Sequence, residues 1–149
     1  MNIYYHPLYT KGIDSKSTFP KERYDLIKDE LATSELSNII TIKTPHQAKV
    51  EDLYRAHSKN YVDAFLKSEL SEKQVREIGL KPWSNKIIDR TLLLTGGSLS
   101  ALFDLYKGAP VAANMAGGTH HAFRDRGSGF CIFNDLAICA IKAIEKFSY

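Results

Sequence analysis

The segment Val111-Ala112-Ala113-Asn114-Met115-Ala116 is a short, almost wholly apolar run between Gly108-Ala109-Pro110 and Gly117-Gly118. A run of this length with turn residues on both sides is typical of a central strand in a parallel sheet, because helices cover both faces of such a strand. We therefore predict a buried parallel strand here, and a loop that begins at Gly117.

Strand-like and helix-like patterns alternate before this segment. Short aromatic or β-branched runs predict strands at residues 2–5 and 39–42, and apolar residues at helical spacing predict helices at 20–34, 53–70 and 86–106. This order predicts an α/β fold with a mainly parallel sheet. In such a sheet, ligands bind beyond the carboxyl ends of the strands.

A final helix is predicted after the loop. Either Asn134 or Asp135 can cap its first turn, since both side chains accept hydrogen bonds from backbone N–H groups. The apolar residues expected to pack inward from this helix are Leu136, Ile138, Ile141, Ile144 and Phe147. With no linker or repeat visible, residues 1–149 are expected to form a single domain.

The glycine pair Gly96-Gly97 lies inside the long apolar helix predicted at residues 86–106. A glycine in a helix interior costs roughly 1 kcal/mol relative to alanine, so a pair of them needs a structural reason. We predict that another part of the chain approaches the helix backbone closely at this point.

The loop from Gly117 to Cys131 concentrates the residues that carry chemistry. Adjacent histidines in an extended backbone point in different directions, so His120 and His121 suit proton transfer better than joint binding of one metal. Gly129 and Phe130 can place a free carbonyl and an apolar wall beside a narrow channel, which would suit a linear acyl-amine.

Other interpretations of these residues stay open at this level. A histidine pair in a loop is commonly solvated or bonded to the backbone, and a cysteine such as Cys131 is more often a small core residue than a nucleophile. The isolated residues His6, His46 and His57 are interpreted as scaffold histidines with satisfied hydrogen bonds.

Composition argues against several classes of function. The formal charge of +3 comes from 20 scattered basic and 17 acidic residues, which gives little support to nucleic-acid binding. No apolar stretch is long enough to cross a membrane, and the N-terminus lacks the features of a signal peptide. Two cysteines are too few for a disulfide framework, so we expect free thiols in a reducing cytoplasm.

Several segments, taken in order along the chain, resemble the histone deacetylase superfamily, which includes bacterial deacetylase-like amidohydrolases, and most closely its class IV branch. The segments that carry the resemblance are Tyr4-Tyr5-His6-Pro7, residues 19–24, Ala56-His57-Ser58 with Tyr61-Val62, residues 79–84, Thr95-Gly96-Gly97-Ser98 and residues 116–135. The resemblance implies the N-terminal portion of a three-layer α-β-α arginase/deacetylase fold, and hydrolysis of the amide of an acylated lysine or acylated small amine.

The resemblance also implies roles within the loop. His121 matches the general base and acid, and His120 its electrostatic partner. Gly129 matches a residue whose carbonyl meets the substrate, and Phe130 matches a wall of the acyl-lysine tunnel. The implied cofactor is zinc.

This sequence departs from the family pattern at the metal. Family members are longer and bind zinc through an Asp-x-His motif and a later aspartate, and neither is found in these 149 residues. We therefore name no metal ligand in this chain and expect it to be inactive alone. A missing C-terminal half, or self-association through an exposed sheet edge, is the expected partner. A non-catalytic module that binds acyl ligands or proteins, and a truncated gene product, are the alternatives.

Overall fold

The structure, a computed structural model, describes residues 1–147 and the side chains of residues 1–146. Its three strands are β1 (Asn2–Tyr4), β2 (Thr41–Lys43) and β3 (Ala112–Asn114). Its seven α-helices are α1 (Leu8–Lys11), α2 (Arg23–Thr33), α3 (Val50–Ala56), α4 (Lys59–Leu66), α5 (Glu72–Ile78), α6 (Ile87–Tyr106) and α7 (Asp135–Phe147). A 3-10 turn spans Glu35–Asn38.

The described strands form one parallel sheet in the order β2-β1-β3. Ile3 of β1 lies opposite Ile42 of β2 on one side and Ala113 of β3 on the other. The α/β fold with a parallel sheet that the sequence predicted is therefore confirmed. Helix α6 packs against both β1 and β3, and α7 packs against α3 and α6.

The position of β3 differs from the prediction of a central strand buried on both faces. Within residues 1–147, β3 is an edge strand whose residues are only half-buried, and β1 is the central strand, with Ile3 and Tyr4 buried. The reason is that no described strand pairs with the outer side of β3. The apolar pattern therefore indicated the strand correctly but not its neighbours.

Helix α6 confirms the prediction made from the glycine pair. A Cβ atom at Gly96 would overlap the carbonyl oxygen of His46, and one at Gly97 would lie 2.5 Å from the hydroxyl oxygen of Tyr9. The helix backbone therefore packs directly against the chain that follows β2 and against α1. This close approach sets the position of α6 relative to the sheet.

Three helices depart from the sequence prediction. Helix α1 (Leu8–Lys11) lies where a loop was expected after Pro7. The short helix α5 was not predicted, although its capping box between Ser71 and Gln74 is visible in the sequence. On α7, Ile138 is fully buried as expected, but Leu136 and Ile144 are 51% and 65% exposed. The prediction for Leu136 and Ile144 is wrong because no described element packs on that face of α7; the predicted inward packing of Phe147 lies outside the described side chains.

The core is formed mainly by aromatic and aliphatic residues from the helices. Its largest fully buried apolar side chains are Tyr9, Phe65, Phe133, Leu53, Ile78, Leu80, Ile138 and Val62. Among the described residues, no helix is both long and apolar enough to cross a membrane.

Candidate functional site

The candidate site is the loop that connects the carboxyl end of β3 with α7. Glycine is required at two of its turns, because Gly118 and Gly129 have φ angles of +89° and +53°. Phe130 also has a positive φ of +66°, which is uncommon for a bulky residue. Its backbone N–H donates to the carbonyl of Ile78 at 2.6 Å, so the end of α5 holds Phe130 in this conformation.

The buried carboxylate of Asp135 organises the start of the loop. It accepts hydrogen bonds from the backbone N–H groups of Gly118 and Thr119, at 3.0 and 2.6 Å, and from the hydroxyl groups of Thr119 and Ser98. Asp135 is fully buried, and no described basic side chain forms an ion pair with it. Its charge is stabilised by these donors and by its position in the first turn of α7.

The N-terminal cap of α7 is provided by Asn134 rather than by Asp135. The side-chain oxygen of Asn134 accepts a hydrogen bond from the N–H of Ala137 at 2.9 Å, which is the usual capping geometry. The sequence left both residues open as caps. The structure gives them separate tasks, since Asp135 faces the loop.

His57 joins the middle of the loop to the start of α7. Its Nε2 accepts a hydrogen bond from the backbone N–H of Asn134 at 2.9 Å, so the ring proton lies on Nδ1, which donates to the carbonyl of Phe123 at 2.9 Å. Burial lowers the pKa of His57 below its usual range and favours this neutral form. The interpretation of His57 as a satisfied scaffold histidine is confirmed.

The two adjacent histidines lie side by side on the surface of the loop. The ring centroids of His120 and His121 are 4.1 Å apart, and both residues are exposed. Nδ1 of His120 lies 2.8 Å from the carbonyl oxygen of Gly118 and donates to it in the neutral ring. This contact orients the ring of His120 through Nδ1.

Gly129 packs against the ring of His121. A Cβ atom at Gly129 would lie 3.1 Å from Cγ of His121, which is closer than ordinary van der Waals contact. A side chain here would therefore displace the imidazole, in addition to straining the positive φ angle. Local packing makes the position of His121 depend on glycine at this turn.

The four residues singled out in the sequence line one cavity of about 210 Å³. His120, His121, Gly129 and Phe130 contribute to its wall, so the fold brings all four together. Further lining residues are Phe19, Arg23, Tyr24, Arg90, Leu94, Cys131 and residues 116–119. Such a cavity can hold a short acyl group or a comparable small ligand, although it is smaller than a typical drug-sized site.

Local chemistry in the sequence did not assign a role to the side of the cavity formed by residues 19–24 and α6. The ring of Phe19 lies 5.3 Å from that of Phe130, and the guanidinium of Arg23 lies 4.8 Å above Phe19. Arg90 is buried, its Nε donates to the carbonyl of Tyr9 at 3.1 Å, and burial lowers its pKa. The available signals were the arginine inside the apolar pattern of α6 and the resemblance carried by residues 19–24.

The comparison with known protein families decides where this chain belongs. The model of the histone deacetylase domain matches residues 17–149, which include every element from α2 onward.

The chain belongs to the histone deacetylase family.

Its similarity to individual proteins covers nearly the whole chain. It is 40% identical to an uncharacterized protein of Picosynechococcus sp., over 97% of this chain and 47% of that protein. It is 34% identical to the acetoin utilization protein AcuC of Bacillus subtilis, over 95% and 39%, and 30% identical to histone deacetylase 8 of Danio rerio, over 96% and 40%. The chain therefore spans less than half the length of these relatives.

The histone deacetylase family implies a metal cofactor, which is zinc in the classical enzymes. Among residues 1–146, no group of three or more histidine, cysteine or acidic side chains could hold a metal ion. A catalytic zinc needs three convergent protein ligands, and Cys131 beside the histidine pair is a buried thiol directed at the carbonyl of Gly129. The described residues therefore do not form a zinc site by themselves.

Proposed function

We propose that this chain forms the proton-transfer and substrate-contacting part of a zinc-dependent deacylase that hydrolyses the amide of an acyl-lysine or of an acylated small amine. The observation that carries the proposal is the single cavity shared by His120, His121, Gly129 and Phe130. We further propose that the zinc ligands lie outside these residues, so that the isolated chain is inactive. The two free cysteines suit a reducing compartment, and we propose a cytoplasmic location.

In this proposal His121 moves the protons of the reaction. It accepts a proton from the attacking water and donates one to the amine as the amide C–N bond breaks, which yields a carboxylate and a free amine. His120, fixed through Nδ1 by Gly118, adjusts the electrostatic field at the neighbouring ring. Phe130 forms an apolar wall for the acyl chain, and the Gly129 carbonyl accepts a hydrogen bond from the substrate.

The first experiment measures turnover of fluorogenic acetyl-lysine and decanoyl-lysine peptides by the purified chain, together with its zinc content. We expect no turnover above the blank and less than stoichiometric zinc. Stoichiometric zinc with turnover that depends on His121 would refute the proposed inactivity of the chain. Binding of the peptide without turnover in any assembly would favour the alternative of a non-catalytic acyl-binding module.

The second experiment fuses this chain to the C-terminal portion of the Picosynechococcus relative, of which the match with this chain covers 47%. We expect deacylase activity, which falls by about 10²-fold to 10⁴-fold in His121→Ala because a general acid and base is lost. His46→Ala is the matched control, since His46 is exposed and does not line the 210 Å³ cavity. Equal activity of the two variants in folded protein would contradict the role of His121.

A further inference from the structure

A second concave region lies along the C-terminal half of α6 and shares no lining residue with the candidate site. It is an open groove of about 740 Å³. Its apolar floor comes from α6, through Leu99, Leu102 and Phe103. One wall is the segment from Lys43 to Asp52, and the other is the end of α7.

Five lysines surround this apolar floor, namely Lys43, Lys49, Lys107, Lys142 and Lys146. The groove contains two carboxylates, Asp52 and Asp104, so its side chains carry five positive charges against two negative charges, a net +3.

Both carboxylates already have partners. Nζ of Lys142 lies 2.5 Å from Asp52, and Nζ of Lys43 lies 4.0 Å from Asp104. The ammonium groups of Lys49 and Lys146 form no ion pair in the described part of the chain. The ammonium group of Lys107 lies 4.5 Å from the ring centroid of Phe103 and lowers the pKa of Asp104. The groove is therefore apolar at its base and positively charged at its rim.

We propose that this groove binds an acidic amphipathic helix of a partner protein. The part of the groove between Gly96 and Lys107 is about 16 Å long, at a helix rise of about 1.5 Å per residue. A bound helix of about three turns has the same length. A bound helix would place its apolar face on Phe103, which is 46% exposed, and its acidic flanks beside the lysines. This combination is the usual helix-in-groove mode of peptide recognition.

Two other classes of ligand fit the groove less well. A nucleic-acid backbone would meet Asp52 and Asp104 and would leave the apolar floor without a contact. A small amphiphile is normally enclosed over most of its surface, whereas this groove is open along its length. Both classes are included in the test below.

The test measures fluorescence anisotropy of a fluorescein-labelled helical peptide with leucines on one face and glutamates on both flanks. We expect saturable binding that weakens about tenfold in Lys107→Glu and in Lys146→Glu, and that weakens as salt is raised. Lys107→Gln should weaken binding less than Lys107→Glu, which separates charge from disruption of the fold. Lys73→Glu on α5 is the matched control, because its side chain is 80% exposed outside the groove.

Three results would overturn the proposal. The first is equal affinity of the wild type and the two groove variants, with unchanged circular dichroism. The second is equal binding of a peptide of the same composition whose leucines are distributed around the helix. The third is displacement of the labelled peptide by decanoate or by single-stranded DNA at lower concentrations than by the unlabelled peptide.

Discussion

The carboxylate of Asp135 lies 2.6 Å from the backbone nitrogen of Thr119, so the first residue of α7 holds the residue that precedes the histidine pair. The same carboxylate also accepts hydrogen bonds from Gly118 and Ser98. The loop with His120 and His121 is therefore tied to α6 and α7 through one buried side chain. Positioning of the candidate site and stability of the fold are coupled at this residue.

Asp135→Asn is expected to lower the free energy of unfolding by about 2–3 kcal/mol, because an amide places a donor against the N–H and hydroxyl donors that the carboxylate accepts. Urea unfolding followed by circular dichroism measures the change. Asp125→Asn is the control, since this exposed residue pairs with its neighbour Arg126 and with no other residue that the structure describes, and it should change stability by less than about 0.5 kcal/mol. If the two substitutions lowered the free energy of unfolding equally, the proposed role of Asp135 in stability would be contradicted.

His57 is expected to make stability depend on pH. Its pKa is lowered in the folded chain, so the unfolded chain binds the proton more readily. The contribution of His57 to folding stability is complete above the pKa of about 6.5 that it has in the unfolded chain. This contribution is lost as the pH falls below that value towards the pKa of His57 in the folded chain. The free energy of unfolding in urea should be measured at about pH 7.5 and about pH 5.5. Its change between the two pH values should be smaller in His57→Gln than in the wild type. An identical difference would show that another group is responsible.

Gly96→Ala is expected to destabilise the chain by at least about 2 kcal/mol, although alanine favours helix formation, because the new methyl group would overlap the carbonyl of His46. Ser100→Ala, one turn later on α6, is the control and should cost about 1 kcal/mol or less, because it removes the hydrogen bond from its hydroxyl to the carbonyl of Gly96. Thermal unfolding of both variants checks this. A gain in stability for Gly96→Ala would mean that α6 can move away from the sheet at low cost.

The outer edge of β3 is expected to promote self-association, because within the described residues β3 pairs only with β1. Sedimentation velocity should show larger species as the concentration of the chain rises. Val111→Lys places a charge at an exposed residue directly before β3 and should keep the chain monomeric. Leu26→Lys, at an exposed residue of α2, is the control that should still associate.

Local sequence patterns determined the strands, the long helix α6 and the close approach at Gly96-Gly97, because each depends on neighbouring residues or on a backbone property of glycine. They also singled out His120, His121, Gly129 and Phe130, which the structure brings to one cavity. The roles of these four residues in catalysis stay a prediction, and the His121→Ala variant tests the role of His121.

Tertiary structure alone decided which residues support that loop. Asp135 and His57 contact it across 16 and 66 positions of sequence, and Arg90 reaches the same cavity from α6. No periodicity in a single sequence encodes such contacts, because they depend on how α6, α7 and the sheet pack. The edge position of β3 was likewise decided by its neighbours in space. An apolar run indicates that a strand can be buried, but it does not indicate which element covers the strand.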